Sequence, residues 1–334
     1  MTLVEIVLAL LWTGLTAYAL LGGADFGGGF WDLFAGSAAR GRATRKLIEH
    51  SLGPIWEANH VWLIYAVVLL WTAFPPVFAA ITSSLYIPLT LAALGIIGRG
   101  AAFAFRKVSA QLWQQRLFGA VFAFSSVVTP FFFGACAGAI ASGRVPPGVG
   151  QADPMRVWLN PTSAACGVLA VGIAAYLAAV YLTRDAQRQA EPGLAETFAL
   201  RARVAGVIVG GLAVAGLLVL RWDAPALFRA LTSGPGSPLA AVSVIAGLVS
   251  LVLLHRRAYL AVRVTAALAV AALLWAWAAG QYPYLLPDTT AAEVSATGPV
   301  LTAMVSVLGV GALILAPSMW WLFALFQRDL PARR

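Results

Sequence analysis

Charge is what this sequence has least of. Only 10% of its 334 residues are charged, whereas an ordinary soluble domain carries roughly 25%. The hydrophobic share is 61%, and it comes in runs of about 20 residues, the length a helix needs to cross a hydrocarbon core about 30 Å thick. A soluble fold would have to hide all of those runs in one small core, so that class is excluded. Cysteine is nearly absent. Cys136 and Cys166 lie in separate apolar runs with no CxxC pair or Cys/His cluster, so no disulfide framework or zinc site is implied, and both read as small packing residues. Histidine is as scarce, at 3 residues. No second histidine stands at helical spacing from His60, and His255 lies in a basic loop, so the residues alone imply no haem or di-metal ligand set. The first apolar run lacks a basic lead-in, its only charge being Glu5. A cleaved signal peptide needs a positive start, so this run is expected to stay as the first helix.

What charge there is comes out basic, with a net of +9. Basic patches attract phosphates, but here the basic residues sit in short loops between apolar runs and form no continuous stripe. Nucleic acid is therefore not an expected partner, and the loop arginines report orientation instead. Spans are expected near residues 4–23, 54–74, 77–98, 117–141, 161–183, 204–220, 239–254, 259–280 and 299–326. With the amino terminus outside and the carboxyl terminus cytoplasmic, all 22 basic residues except Arg144, Arg156, Arg221 and Arg229 fall on the inner side. Dropping a middle span would put every later loop on the wrong side.

The expected fold class is thus an all-α integral membrane protein with about nine transmembrane helices. The first and fifth spans run the same way. Two four-helix bundles plus one peripheral helix follow, with a first unit over 1–141, a second over 161–280 and the peripheral helix over 299–326, all in one membrane domain over 1–334. Asn160-Pro161 fits an N-cap followed by proline at the first helical position, and Pro54 and Pro299 can play the same part. Pro88, Pro130 and Pro317 fall inside spans and should kink them.

The densest polar signal runs from Gly22 to Asn59. Glycine runs can cradle phosphate, but that use needs a strand before and a helix after. With a membrane helix in front, these glycines read instead as places where helices approach closely. Asp25 is expected to end the first span and Glu57 to begin the second on the same side, so that the two carboxylates face each other across a short loop. Two readings of them stand side by side: interfacial residues paired with Arg45 or Lys46, or a proton-handling pair, since acids within a membrane are costly to place there. His60 lies one turn from Glu57 on the same helix face. It reads as a haem ligand, a proton relay or a hydrogen-bonded packing residue. Arg99 and Arg106 bracket the inner end of the third span and read as topology anchors, or as guanidiniums paired with a carboxylate or a haem propionate. Tyr282-Pro283-Tyr284-Leu285-Leu286-Pro287 reads as an interfacial aromatic belt and a turn, or as a quinone headgroup site.

Taken together, Gly23–Asp32, the stretch Gly53-Pro54-Ile55-Trp56-Glu57-Ala58-Asn59-His60-Val61-Trp62-Leu63-Ile64, Ala73-Phe74-Pro75, the arginines Arg99 and Arg106, and Tyr282-Pro283 resemble the second subunit of the cytochrome bd-type quinol oxidases, bacterial terminal oxidases. The second-helix stretch is the specific part, and the likeness covers nearly the whole chain. The resemblance implies a heterodimer in the bacterial cytoplasmic membrane. A haem-bearing subunit I carries haems b and d and the quinol site, engages quinol and O2, and leaves this chain haem-free, with no metal and no catalytic residue of its own. It leaves room for small accessory membrane subunits and for a structural quinone or lipid. It also implies that Asp25 and Glu57, with His60 beside them, belong to a proton pathway from the cytoplasm.

This chain departs from the pattern in three places. Ala104 stands where the family usually has an acid two residues before the second arginine, Glu57 where many members have Asp, and His60 where Gln or Glu is frequent. The rival readings are an independent transporter or channel built on two repeats, and a structural subunit that conducts nothing.

Overall fold

The apolar runs fold as helices, most of them longer than hydropathy alone suggests. The computed structural model describes residues 2–37, 40–52, 56–109 and 111–328. In chain order the helices are α1 (Leu3–Leu33), α2 (Arg42–Leu52), α3 (Trp56–Ala73), α4 (Pro75–Ser84), α5 (Tyr86–Val108), α6 (Leu112–Ala141), α7 (Pro161–Arg188), α8 (Pro192–Asp223), α9 (Pro225–Thr232), α10 (Ser237–His255) and α11 (Tyr259–Gln281). A two-stranded antiparallel hairpin follows, with β1 (Tyr284–Leu286) and β2 (Thr289–Thr290), then α12 (Ala291–Val294) and α13 (Gly298–Arg328). Among the described residues, 8 helices are long and apolar enough to span a bilayer, or up to 9 when α3 and α4, bent by 119° at their junction, count as one span.

Helix ends follow local chemistry. Thr2 caps α1 in a reciprocal box with Glu5, each side chain satisfying a backbone N–H that the helix leaves unpaired. The Asn160 side chain accepts from the Ser163 N–H at 2.9 Å, and Pro161 follows it at the first helical position. The hairpin takes up the expected turn after Tyr282.

Three expected boundaries move. The first span does not end at residue 23. Its glycines stay helical, so Asp25 lies inside α1 and Asp32 near its end. The third span begins at Tyr86, because Pro75 and Pro76, which lack N–H groups, end α3 and start the short α4 in a new direction. Pro88 therefore sits in the first turn of α5, where a missing N–H leaves no bond unmade, while Pro130 and Pro317 are indeed helix-internal. Arg99 and Arg106 consequently lie within α5 and not in a loop. The residues at 53–55, including Pro54 and the start of the second-helix stretch, fall outside the described residues, as do Arg333 and Arg334.

α1 is the axis of the assembly, packing on α3, α6 and α7. α5 lies along α6, α8 along α7, and α10 along α11, which returns to α7. The close approaches run through glycine. A Cβ on Gly27 would overlap the Ala174 carbonyl of α7, and one on Gly29 would overlap the Ser126 side chain of α6. Gly95 of α5 admits Thr129 of α6 in the same way. Small residues at such crossings let backbones meet where no water-driven force presses helices together. α13 touches mainly α1 and leaves Val307, Leu313, Ile314, Trp320 and Trp321 exposed.

Candidate functional site

Where α1, α5 and α6 converge, the glycine contacts bring a charged pair into the interior. Asp25 projects from α1 and Arg99 from α5, and their side chains are 1% and 4% exposed. The guanidinium grips the carboxylate with both terminal nitrogens. Nη1 donates to Oδ2, while Nη2 donates to Oδ1 at 2.8 Å and to the Asp25 carbonyl at 3.0 Å. Nε donates to Ser126 Oγ at 3.0 Å, and that hydroxyl in turn donates to the Phe122 carbonyl at 2.7 Å. The rings of Phe26 and Phe122 flank the guanidinium at 5.1 and 4.8 Å. Two charges so far from water are tolerated only with this completeness of pairing, because desolvation costs several kcal/mol per ion.

A second cluster sits seven residues further along α1. Asp32 accepts from Arg45 Nε at 2.7 Å and from Arg106 Nη1 at 2.8 Å. Arg106 Nη2 also lies 4.0 Å from Glu49 of α2, whose side chain is partly open to solvent. Between the two clusters is a cavity of about 20 Å³, lined by Asp25, Asp32, Arg99, Arg106, Phe103 and Phe122 among others. One water needs about 10–15 Å³ and several polar partners, so the cavity can hold one. Arg201 of α8 closes the same end, lying over Trp31 at 5.2 Å and donating to the Phe34 carbonyl at 3.3 Å.

On the other side of Asp25, His60 of α3 packs against Phe26 and Tyr18 with ring centroids 6.0 Å apart in each case. Its Nδ1 stands 3.5 Å from the Tyr18 hydroxyl. Asn59 donates to the Leu21 carbonyl at 3.4 Å, which sets the level of α3 against α1. Glu57 is thereby near the depth of Asp25, but it lies on the outer face of α3 and is exposed.

The expected residues therefore separate. Asp25 and Arg99 are joined directly, with His60 beside them. Arg106 joins the same site through Asp32. Glu57 does not face Asp25, because the longer α1 buries Asp25 against α5 instead of leaving it at a loop. Arg45 pairs with Asp32 and not with Asp25 or Glu57. At position 104 the side chain is an exposed alanine, and the acids that Arg106 meets are Asp32 and Glu49. Reasoning from sequence missed Asp32. Its signal was there, since a spacing of seven residues, about two helical turns, puts it on the same face as Asp25. Ser126 had no comparable signal. Among the described residues no group of three or more His, Cys, Asp or Glu side chains could hold a metal ion.

A buried acid–arginine pair beside a glycine-lined helix crossing, on a bundle of this order, invites comparison with known proteins. The family model described as cytochrome bd terminal oxidase subunit II matches residues 3–326. The chain belongs to this family. It is 36% identical over 130 residues to cytochrome bd ubiquinol oxidase subunit 2 of Bacillus subtilis, covering 39% of this chain and 36% of that protein. It is 30% identical over 177 residues to cytochrome bd-I ubiquinol oxidase subunit 2 of Escherichia coli K12, covering 50% of this chain and 45% of that one. These matches span less than half the length of either relative. The fold matches a chain of the bd oxidase from Geobacillus thermodenitrificans with a TM-score of 0.77 at 22% identity, over 99% of this chain and 100% of that one. In this member of the subunit II family, the motifs around Asp25 and Arg99 are thus the meeting point of α1, α5 and α6, and not a loop.

Proposed function

We propose that this chain is the haem-free second subunit of a quinol-oxidising, oxygen-reducing cytochrome bd complex, scaffolding the haem-bearing subunit I and helping to deliver protons from the cytoplasm. Its 1–141 and 161–280 units form the paired four-helix frame, and 299–326 the peripheral helix. The observation that carries the reading is the buried Asp25–Arg99 pair, which continues through a small cavity to Asp32, Arg106 and the partly exposed Glu49. Reduction of oxygen consumes protons, and a site buried in a membrane receives them only through relaying side chains and trapped water. The distribution of arginines favours placing the Asp32 end in the cytoplasm and the Glu5 end outside.

In this reading Asp25 and Arg99 keep a charged, water-compatible spot inside the bilayer, and His60 with Tyr18 extends it toward α3. Glu57, on the outward face of α3 among exposed Val61, Ile64, Val68 and Trp71, completes the route on a surface that subunit I would cover. Haems b and d belong to subunit I. In this chain His60 packs against the rings of Tyr18 and Phe26.

The test is to co-express the chain with its haem-bearing partner and purify the complex through this chain. Haem absorption and quinol-driven oxygen consumption are expected in the eluate. Asp25→Asn and Glu57→Ala should slow turnover per haem. Wild-type turnover in both variants would leave a scaffold only, and a colourless chain that is stable alone and moves a solute would point to a transporter.

A further inference from the structure

Asp32 occupies a position that a helix clasp alone does not require. It follows Asp25 by about two turns, its side chain is 5% exposed, and it accepts from a guanidinium of α2 and another of α5. One of these, Arg106, is shared. Its Nη1 is 2.8 Å from Asp32 and its Nη2 is 4.0 Å from Glu49, so one cation stands between an interior acid and a surface acid. The cavity that separates Asp32 from Asp25 has room for a single water.

Resting on the proton-delivery reading above, we infer that Asp32 is the loading carboxylate of the path, and that Arg106 opens and closes it. As Arg106 moves from Asp32 toward Glu49, a hydronium ion at the surface gives its proton to the freed Asp32 oxygen and leaves as water. Asp32 then passes the proton to the cavity water, on the Asp25 side, and its carboxylate recovers Arg106. One proton moves inward per cycle, and no other reactant is used. The charged groups facing Asp32 are Arg45 and Glu49 from α2, Arg99 and Arg106 from α5, and Arg201 from α8, which stacks on the neighbouring Trp31.

The experiment uses the assembled complex, normalised to haem content. Asp32→Ala should lower maximal turnover about tenfold or more, within the range a positioned proton-transfer group contributes. The quinol KM should stay unchanged, the deficit should deepen as pH rises, and added formate, a small permeant acid, should restore turnover. Asp32→Glu should retain most of it. A slow Asp32→Ala enzyme with the wild-type pH profile and no response to formate would make Asp32 a positioning residue and overturn the inference. So would wild-type turnover in Asp32→Ala. If neither Asp32→Ala nor Asp32→Asn assembles with haem, the residue belongs to folding and the inference also fails. Asp25→Asn separates the two levels: slow turnover there with a normal Asp32→Ala enzyme sinks only this inference, while wild-type turnover in both sinks the delivery reading itself.

Discussion

The group α1, α5 and α6 and the group α7, α10 and α11 face the same packing problem with opposite chemistry. In the first, an Asp–Arg pair sits in the interior with almost no exposure. In the second, the interior is alanine-rich and its polar link is neutral, the Tyr176 hydroxyl against Ser250 Oγ. Its ion pair, Asp185 with Arg263, lies at the edge with side chains 24% and 26% exposed. Burying ions is expensive, and replacing a buried pair by apolar side chains is often neutral or stabilising. A bundle needs no charge at the depth of Asp25, as the second group demonstrates. The difference therefore marks the first group as the place where polarity serves something other than packing.

Breaking the buried pair should give the largest effect. Arg99→Leu leaves Asp25 without a cation in a buried site, where removing one partner costs about 3–5 kcal/mol. The expected result is a complex with a clearly lowered thermal midpoint and reduced haem content. Combining Asp25→Asn with Arg99→Leu should recover much of the midpoint without recovering turnover. Full recovery of turnover in the double variant would show that the pair is a structural clasp, no different in kind from the second group.

Next comes Gly27→Ala. The added Cβ would meet the Ala174 carbonyl carbon and oxygen, which are backbone and cannot swing aside. α1 and α7 must separate, at about 1–3 kcal/mol for an overpacked contact. Because Trp31 Nε1 donates to the Ala175 carbonyl at 2.8 Å across the same crossing, the two groups should loosen from each other together. Gly210→Ala, which meets nothing within 4 Å, is the matched control and should leave the midpoint in place. A smaller loss, about 1 kcal/mol for one neutral hydrogen bond, is expected from Tyr176→Phe.

Much of this organisation is legible in the residues. The run lengths and the placement of arginines give the helical membrane class and the span order, and Asn160-Pro161 marks the start of α7 to the residue. The errors at the inner ends of the first and third spans share one cause. Hydropathy stops a span where polar or glycine residues begin, yet a helix continues while its backbone bonds are satisfied. So α1 runs on through Gly22–Asp32, and α5 runs on through Arg99 and Arg106. Side chains placed at loops by hydropathy are then interior ones, and their partners change accordingly. Asp25 finds Arg99, 74 residues away, through glycine contacts that no local pattern reports. The bend at Phe74 could have been read from the proline pair Pro75-Pro76, because two adjacent residues without N–H groups cannot continue a helix.

The smallest expected effect is the most discriminating one between the groups. Asp185→Asn removes a charge that Arg263 meets at a partly wet edge, but it leaves Arg263 donating to the Tyr181 carbonyl at 2.6 Å and lying over the Tyr181 ring at 5.2 Å. A pair with that much access to solvent contributes about 0–1 kcal/mol, and mobile ions screen it over a Debye length of about 8–10 Å at ordinary salt. The thermal midpoint of Asp185→Asn should therefore fall slightly at low salt and converge on that of the parent as salt is raised. The deficit of Arg99→Leu should not respond, since no counterion reaches Asp25 to replace the guanidinium. Measuring both midpoints across one salt series settles whether the two ion pairs differ in kind. Parallel salt responses would mean that ions reach Asp25 as freely as Asp185, and the contrast between a buried pair and an edge clasp would be lost.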